Sequence, residues 1–405
     1  MIDVIVIGAG ASGLVTAIVS ARRGKRVLIL EKNNKVGKKL LATGNGKCNI
    51  TNQRPTLERF YSENPKFIHE VFNGYGYQSI KQFFKSIGLE LIEAKEGKVF
   101  PMSLQASSVV ELLVAECQQL GVEIRCEIEV QQVKKVANSY EITHNKGVEK
   151  SKALVIATGH LSAPQLGGVD VGVSFAKRLG HRIIKPFPTL VQLTSPMKKL
   201  DRMAGVKVES RVTLKTKDNK IVQKQGDVLF TSYGISGLAI LDISRFVMVE
   251  LFSKKSVILS IDLMPKMSHE QLLALMRKSL VKKSSKPLTT WLQGFINKKL
   301  IIPILEPLKL ENATVGSITS NIKELEKIVT EIKNFKFEVN GSKGYKGAEV
   351  ATGGVDTKEV NPKIMESKKH KGLYFTGEVL DVDGDRGGFN LHFAWVCGLR
   401  AGKSI

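Results

Sequence analysis

Cysteine is scarce and scattered: Cys48, Cys117, Cys126 and Cys397 form no CxxC and no zinc-ligand spacing in 405 residues. That excludes a disulfide framework, a structural zinc and a paired redox dithiol, and makes free thiols in a reducing cytosol the expectation. Long apolar runs are also lacking. The richest, Val4 to Ser20, is preceded by Asp3 and followed by Arg22, Arg23 and Lys25, the wrong order for a secretory leader. Nothing approaches ~18 unbroken apolar residues, so no membrane span and a cytoplasmic location are expected. Acid is the third shortage. Only 38 Asp and Glu stand against 61 Lys and Arg, for a formal charge of +23 at pH 7. A field of that sign draws polyanions, with RNA, DNA and anionic lipid all open, while dispersed lysines also suit ordinary solvated positions.

What is present fits a globular protein of two or three units, since the chain exceeds the roughly 100–200 residues of one domain. Ile2 to Ile7 (IDVIVI) reads as a buried strand, Gly8 to Gly13 as a turn, Leu14 to Arg23 as a helix ended by Gly24, and Arg26 to Leu30 as a second strand. Fully apolar strands beside a helix indicate a parallel sheet covered on both faces. Helical periodicity follows over Ser79 to Ile87 and Ser107 to Leu120, strands over Val122 to Tyr140, and another buried strand over Ala153 to Ala157. From Val191 to Leu263 polar and apolar residues alternate, with Asp218-Asn219 as a hairpin turn, which predicts an antiparallel β unit. Ser268 with Gln271 forms a capping-box signature before a helix QLLALMRKSLVKK that Pro287 ends; Leu288 to Leu300 and Asn321 to Lys333 read as two more helices. The glycine-rich apolar texture returns near Gly341. The expected organisation is an α/β domain over 1–190 and 345–405, interrupted by a β domain (191–265 and 335–344) and a helical subdomain (266–334).

Gly8-Ala9-Gly10-Ala11-Ser12-Gly13 fits G-x-G-x-x-G, and Glu31 closes the following strand, 18 residues past Gly13. The parts divide the work of holding a dinucleotide. Gly8 permits the tight turn, Gly10 the approach of backbone to a pyrophosphate, Gly13 close packing of helix on strand, and Glu31 a bond to ribose hydroxyls. FAD rather than NAD is indicated by two further segments. Ala153 to Gly159 (ALVIATG) ends in a small-residue turn at Thr158-Gly159. Gly372 to Gly402 holds a strand ending at Gly377-Glu378 and a glycine pair, Gly387-Gly388, that opens an apolar helix. A helix N-terminus aimed at a flavin stabilises negative charge on the reduced ring. The run Asp381-Val-Asp383-Gly-Asp385 is no EF-hand, because Arg386 and His392 occupy the positions that need Gly and Glu, so no metal is expected.

With GKKLLATGNGKCNITN (Gly37 to Asn52), Leu229 to Gly237 and GEVLDVDGDRGGFNLHFAW (Gly377 to Trp395), the chain resembles the BaiN/RdsA-like flavoproteins (YhiN, aminoacetone-oxidase-like) over essentially its whole length. The resemblance implies a glutathione-reductase-type FAD-binding Rossmann domain, split in sequence, with an inserted antiparallel β-barrel and a small helical subdomain. It implies phosphate contacts at Ala11 and Ser12, a ribose contact at Glu31 and backbone contact of Val130 with the adenine. Thr43 to Asn49 would line the flavin, and Glu378, Asn390 and Leu391 would surround its ribityl chain and ring. The wider set of cofactor residues takes in Lys32, Lys39, Gly44, Lys47, Cys48, Thr158, Gly159, Gly377, Gly388 and Phe389. The chain departs from the family pattern at His160, at Gly167 to Gly172 and at Leu238, near the face the resemblance assigns to the substrate.

The implied reaction is NAD(P)H-driven hydride transfer through the flavin to an activated C=C conjugated to a carbonyl, as in steroid-enone reduction or dihydrouridine formation in ribosomal RNA. A flavin oxidase of a small amine or aminoketone, and a flavin-containing RNA-binding factor, remain alternatives. Charge favours RNA: Val191 to Tyr345 holds 26 Lys and Arg against 14 Asp and Glu. No catalytic residue is assigned. Cys48, His160 and His392 read first as packing residues, with His160 and Tyr233 as candidate proton donors.

Overall fold

The computed structural model describes residues 2–405, so residue 1 of the expected 1–190 segment lies outside it. The chain divides into two compact units, Met1–Pro188 with Ala348–Ile405, and Thr189–Gly347. Each has its own apolar core.

The first unit is a Rossmann-type fold. Glu123–Arg125, Val27–Leu30, Ile2–Ile7 and Gly147–Ile156 pair in parallel in that order. From Val4 onward the first strand is buried, as is all of Val27–Leu30, which is why both are apolar without interruption. Gly147–Ile156 forks. Its first half pairs antiparallel with Ser139–His144, while Leu154 to Ile156 take Leu373–Phe375 as a parallel partner. Burial follows the fork, absent along GVEK and continuous along ALVI. Helix Ala11–Ala21 leaves the first strand through the glycine turn, and the last helix, Phe389–Ser404, packs along it. A Cβ on Gly398 would lie 2.8 Å from the Ser12 carbonyl oxygen, and one on Gly402 2.6 Å from Val19 Cβ. Two glycines four apart share a helix face, and here they let the two ends of the chain meet.

The second unit is built on a seven-stranded antiparallel sheet, ordered Phe335–Val339, Val257–Asp262, Lys207–Lys215, Ile221–Thr231, Gly234–Ser236, Leu193–Thr194, Gly341–Ser342. Its outermost strands are consecutive in the chain with only Asn340 between them, so the sheet curls back on itself there. Lys215 pairs with Ile221 across the turn that holds Asp218-Asn219. The β reading of Val191 to Leu263 needs one correction. Leu238–Leu251 is a helix, burying Ala239, Ile240, Ile243, Ser244 and Val247 at helical spacing against the sheet. Its β-branched residues concealed that period. The capping box forms: Ser268 Oγ accepts from the Gln271 N–H at 3.1 Å. The helix it opens, His269–Lys278, stops well before Pro287, and the helix expected over Leu288 to Leu300 is two, Leu288–Leu292 and Lys298–Leu305, with Asn297 capping the second.

Candidate cofactor-binding site

The three glycines of the turn divide their labour. At Gly8, with φ +104°, a Cβ would lie 2.6 Å from the Ala157 carbonyl oxygen, and at Gly13 2.0 Å from the Gly8 carbonyl oxygen. At Gly10 nothing lies within 4 Å. The outer two are packing positions; the middle one borders open space where backbone can meet a phosphate. Helix Ala11–Ala21 starts at Gly10 with no side-chain cap and no acid in its first turn. The N–H groups of Ala11, Ser12 and Gly13, and the positive helix end, are thereby left to an anion. The Ser12 hydroxyl is not: it is buried, 3.2 Å from both the carbonyl and hydroxyl oxygens of Thr376. Any phosphate contact of Ser12 falls to its amide.

Glu31 is buried, its Oε2 accepting the Ala9 N–H at 2.8 Å and its Oε1 the Asn33 backbone and side-chain N–H groups at 2.8 and 2.7 Å. Oε2 thus keeps acceptor capacity for a hydroxyl. The Ile128 N–H donates to the Glu31 carbonyl, which brings Val130 close to the end of the same strand. Lys32 turns away into an exposed pair with Glu129.

The second wall joins segments far apart in sequence. Lys39 Nζ lies 2.7 Å from Glu378 Oε2 and 2.5 Å from Ser162 Oγ; Glu378 Oε1 accepts from Ser162 Oγ at 2.7 Å and from the Ala351 N–H at 3.0 Å. Burial alone would raise the Glu378 pKa, but the charge of Lys39 and the bonds from Lys39, Ala351 and Ser162 outweigh it and hold the carboxyl below its usual range. A Cβ on Gly159 would sit 3.9 Å from Glu378 Oε2, and one on Gly377 2.7 Å from Ser12 Oγ. The Thr158-Gly159 and Gly377-Glu378 turns therefore flank the first glycine turn, with Thr158 Cα also beside Gly8. Ser162, Ala351 and Thr376 escaped the sequence reading. Thr376 directly precedes Gly377, the only local signal among them.

Gly44, Asn45 and Cys48 have left-handed backbone, and Gly44 and Lys47 are exposed. Thr43 Oγ1 donates to the Leu40 carbonyl, and Asn49 Oδ1 accepts from the Val99 N–H. Cys48 is buried, and burial pushes its thiol up to about 12, leaving a packing residue and no thiolate. Helix Phe389–Ser404 opens at Gly388, uncapped and without acid in its first turn. Its first side chains serve the protein itself. Phe389 lies between the Phe60 ring and the Arg59 guanidinium, Asn390 Oδ1 and Nδ2 bind the Gly384 backbone, and Leu391 packs on the core. Asn390 and Leu391 stay half-buried, and the uncapped amides at the helix start are left to a ligand.

The HI0933-like protein Rossmann domain family matches residues 2–404. The chain belongs to this family. It is 34% identical over 98% of its length to a 3-dehydro-bile acid delta(4,6)-reductase of Clostridium scindens, covering 98% of that protein. It is also 33% identical to a ribosomal RNA dihydrouridine synthase of Haemophilus influenzae, over 99% of this chain and 98% of that one. The Escherichia coli protein of the same name is 32% identical over 97% and 95% of the two chains. This HI0933-like chain is an FAD-dependent oxidoreductase, and its cradle fits that cofactor: two uncapped helix N-termini, clear space at Gly10 and a buried carboxylate at the end of the second strand.

In this HI0933-like fold the histidines pack. His160 Nδ1 accepts the Leu161 N–H at 2.7 Å, which puts the ring proton on Nε2, an enclosed atom without a partner among the described residues, and burial lowers its pKa. His392 bonds Thr51 Oγ1 at 2.8 Å, and burial drops its pKa to about 4. Ser367, His181 and Glu359 line up at 3.0 Å steps like a nucleophile triad. Ser367 Oγ, however, already accepts the N–H groups of Lys369 and His370, so no lone pair is left for attack. Tyr233 carries the Lys343 ammonium 4.5 Å from its ring centre. Among the described residues no group of three or more His, Cys, Asp or Glu could hold a metal ion, and no helix is long and apolar enough to cross a membrane.

Proposed function

We propose that this chain adds hydrogen across a C=C conjugated to a carbonyl in a uridine of ribosomal RNA, in the cytoplasm, at the expense of NADH or NADPH. The observation that carries the RNA reading is the charge of +23. A polyanion gains from such a field, whereas a steroid-sized substrate does not. The relatives' names support the bond type, since a delta(4,6)-reductase and a dihydrouridine synthase both saturate a C=C. Bound FAD supplies the hydride chemistry. The amides of Ala11 to Gly13 would hold its diphosphate and Glu31 its ribose. The backbone at Val130 would meet its adenine, and Thr43 to Asn49, the Thr158-Gly159 turn and the Lys39–Glu378 pair would line its ring. The first amides of Phe389–Ser404 would stabilise negative charge there.

The test is anaerobic mixing of the yellow protein with NADH or NADPH until it bleaches, followed by ribosomal RNA or a steroid enone. Return of colour with RNA, and dihydrouridine in the recovered RNA, is the expected result. Recolouring by the steroid alone would overturn the RNA reading. Peroxide release with an aminoketone and no nicotinamide would replace the reductase with an oxidase.

A further inference from the structure

From Gln271 to Leu305 the chain carries seven Lys and Arg and not one Asp or Glu. All seven, Arg277, Lys278, Lys282, Lys283, Lys286, Lys298 and Lys299, are exposed. Among the described residues none of the seven has a carboxylate within ion-pair reach, while nearby lysines such as Lys199 and Lys266 are paired. Part of this has a structural reason, because Arg277 and Lys278 close the helix His269–Lys278, where cations favour the negative helix end. The rest does not. Lys298 and Lys299 open the helix Lys298–Leu305, at the end where a cation is unfavourable.

The segment is also held in shape. The Trp291 indole N–H donates to the Ser279 carbonyl, and the Trp291 ring rests 4.9 Å from that of Phe295. Backbone bonds from Val315 to Lys286, from Gly316 to Ser284 and from Leu288 to Ala313 pin the loop beyond. Val281, 63% exposed, projects between the cations. Charges on an ordered loop lose less freedom on binding than charges on a loose arm.

We infer that Arg277, Lys278, Lys282, Lys283 and Lys286 form a phosphate-contacting surface for the sugar–phosphate backbone of RNA. The inference rests on the RNA reading above and adds where the nucleic acid is gripped, by the inserted unit. A surface that contacts only phosphates gives affinity without sequence preference, so the choice of nucleotide lies elsewhere.

The decisive experiment is binding of purified ribosomal RNA to the full, flavin-loaded chain across a salt series. In the variant Arg277→Gln/Lys282→Gln/Lys283→Gln/Lys286→Gln we expect affinity to fall about 1,000-fold at 0.1 M salt and the log–log salt slope to shrink by about 3, at ~0.7–0.9 per lost phosphate contact. A control neutralising Lys85, Lys95, Lys134 and Lys135 should change affinity less than about tenfold. Both should keep their flavin and bleach with the nicotinamide donor. As a reading independent of any variant, RNA should shield Lys282, Lys283 and Lys286 of the unaltered protein from acetylation. If that protein binds RNA but the variant keeps its affinity and slope, or if the three lysines stay reactive, this surface is wrong and the RNA reading stands. If the unaltered protein fails to bind RNA, or binds only anionic vesicles, both fall.

Discussion

The cofactor unit carries 34 Lys and Arg against 24 Asp and Glu in 246 residues; the inserted unit carries 27 against 14 in 159. The difference in use is larger than the difference in number. In the cofactor unit a few charges turn inward and organise backbone. Glu31 ties the glycine turn to the second strand, Lys39 and Glu378 join segments over three hundred residues apart, and buried Arg400 donates to the carbonyls of Glu70, Val71, Asn73 and Lys363. In the inserted unit the interior is apolar, sheet against the helix Leu238–Leu251, apart from buried Glu250 and the Lys333–Asp262 pair, and most charge stays outside. A charge already committed to the fold is unavailable to a partner. Total charge therefore says that a polyanion is attracted, and unpaired charge says where it is held.

The largest expected effect tests the inward use of charge and backbone in the first unit. Gly13→Ala forces a Cβ to within 2.0 Å of the Gly8 carbonyl oxygen and should cost about 3 kcal/mol or more, or prevent folding. Gly10→Val meets open space from an extended backbone, so the apoprotein should melt normally while retaining little flavin. Thermal melts beside flavin-to-protein ratios separate the two; equal loss of stability would break the assignment of Gly10 to the ligand. Next in size is Ile240→Ala, fully buried in the second core, at about 3 kcal/mol. With two cores, that loss should shift one transition in denaturant and leave flavin release in place. A parallel shift of both would mean the units do not unfold separately.

A third effect, about 2 kcal/mol, concerns His392. Its pKa of about 4 in the fold lies below the ordinary 6.5, so the unfolded chain binds the proton more readily. Its contribution to stability is complete above about pH 6.5 and is lost as pH falls toward 4, about 2 kcal/mol by pH 5. His392→Asn, which can keep the bond to Thr51, should flatten the decline in melting temperature between pH 7 and 5 relative to the unaltered chain. An unchanged decline would place the sensitivity in other groups.

The glycine cradle was legible because its chemistry is local: turn, amides and Glu31 all lie within the first two strands. The same holds for the Asp218-Asn219 hairpin and the Ser268 capping box, where a few adjacent residues determine the backbone. What could not be read was the destination of side chains. Ser12, Phe389 and Asn390 occupy cofactor-motif positions, yet the Ser12 hydroxyl is taken by Thr376, 364 residues away, and the Phe389 ring by Phe60 and Arg59. A motif specifies the path of the backbone, and long-range packing decides what each side chain meets. The helix Leu238–Leu251 was missed for a related reason: its β-branched residues suit either period, and the sheet beneath it settled the choice.

The smallest effects come from two lysines that look alike in sequence. Lys32 pairs with Glu129, both about half exposed, whereas Lys39 is the chief source of attraction on a carboxylate only 20% exposed. Lys32→Gln should alter stability by less than ~0.5 kcal/mol and leave flavin affinity unchanged, because exposed pairs are screened by solvent and salt. Lys39→Met leaves Glu378 with two neutral donors for its charge, raising its pKa. Partial exposure limits the penalty to about 1 kcal/mol, a roughly fivefold weaker grip on FAD that should lessen at low pH as Glu378 takes up a proton. Equilibrium flavin release at pH 8 and pH 5 reads both variants in one experiment. Similar, pH-independent losses for the two would mean that Lys39 acts only as surface charge, and the inward-turned role given to the charges of the cofactor unit would lose its clearest case.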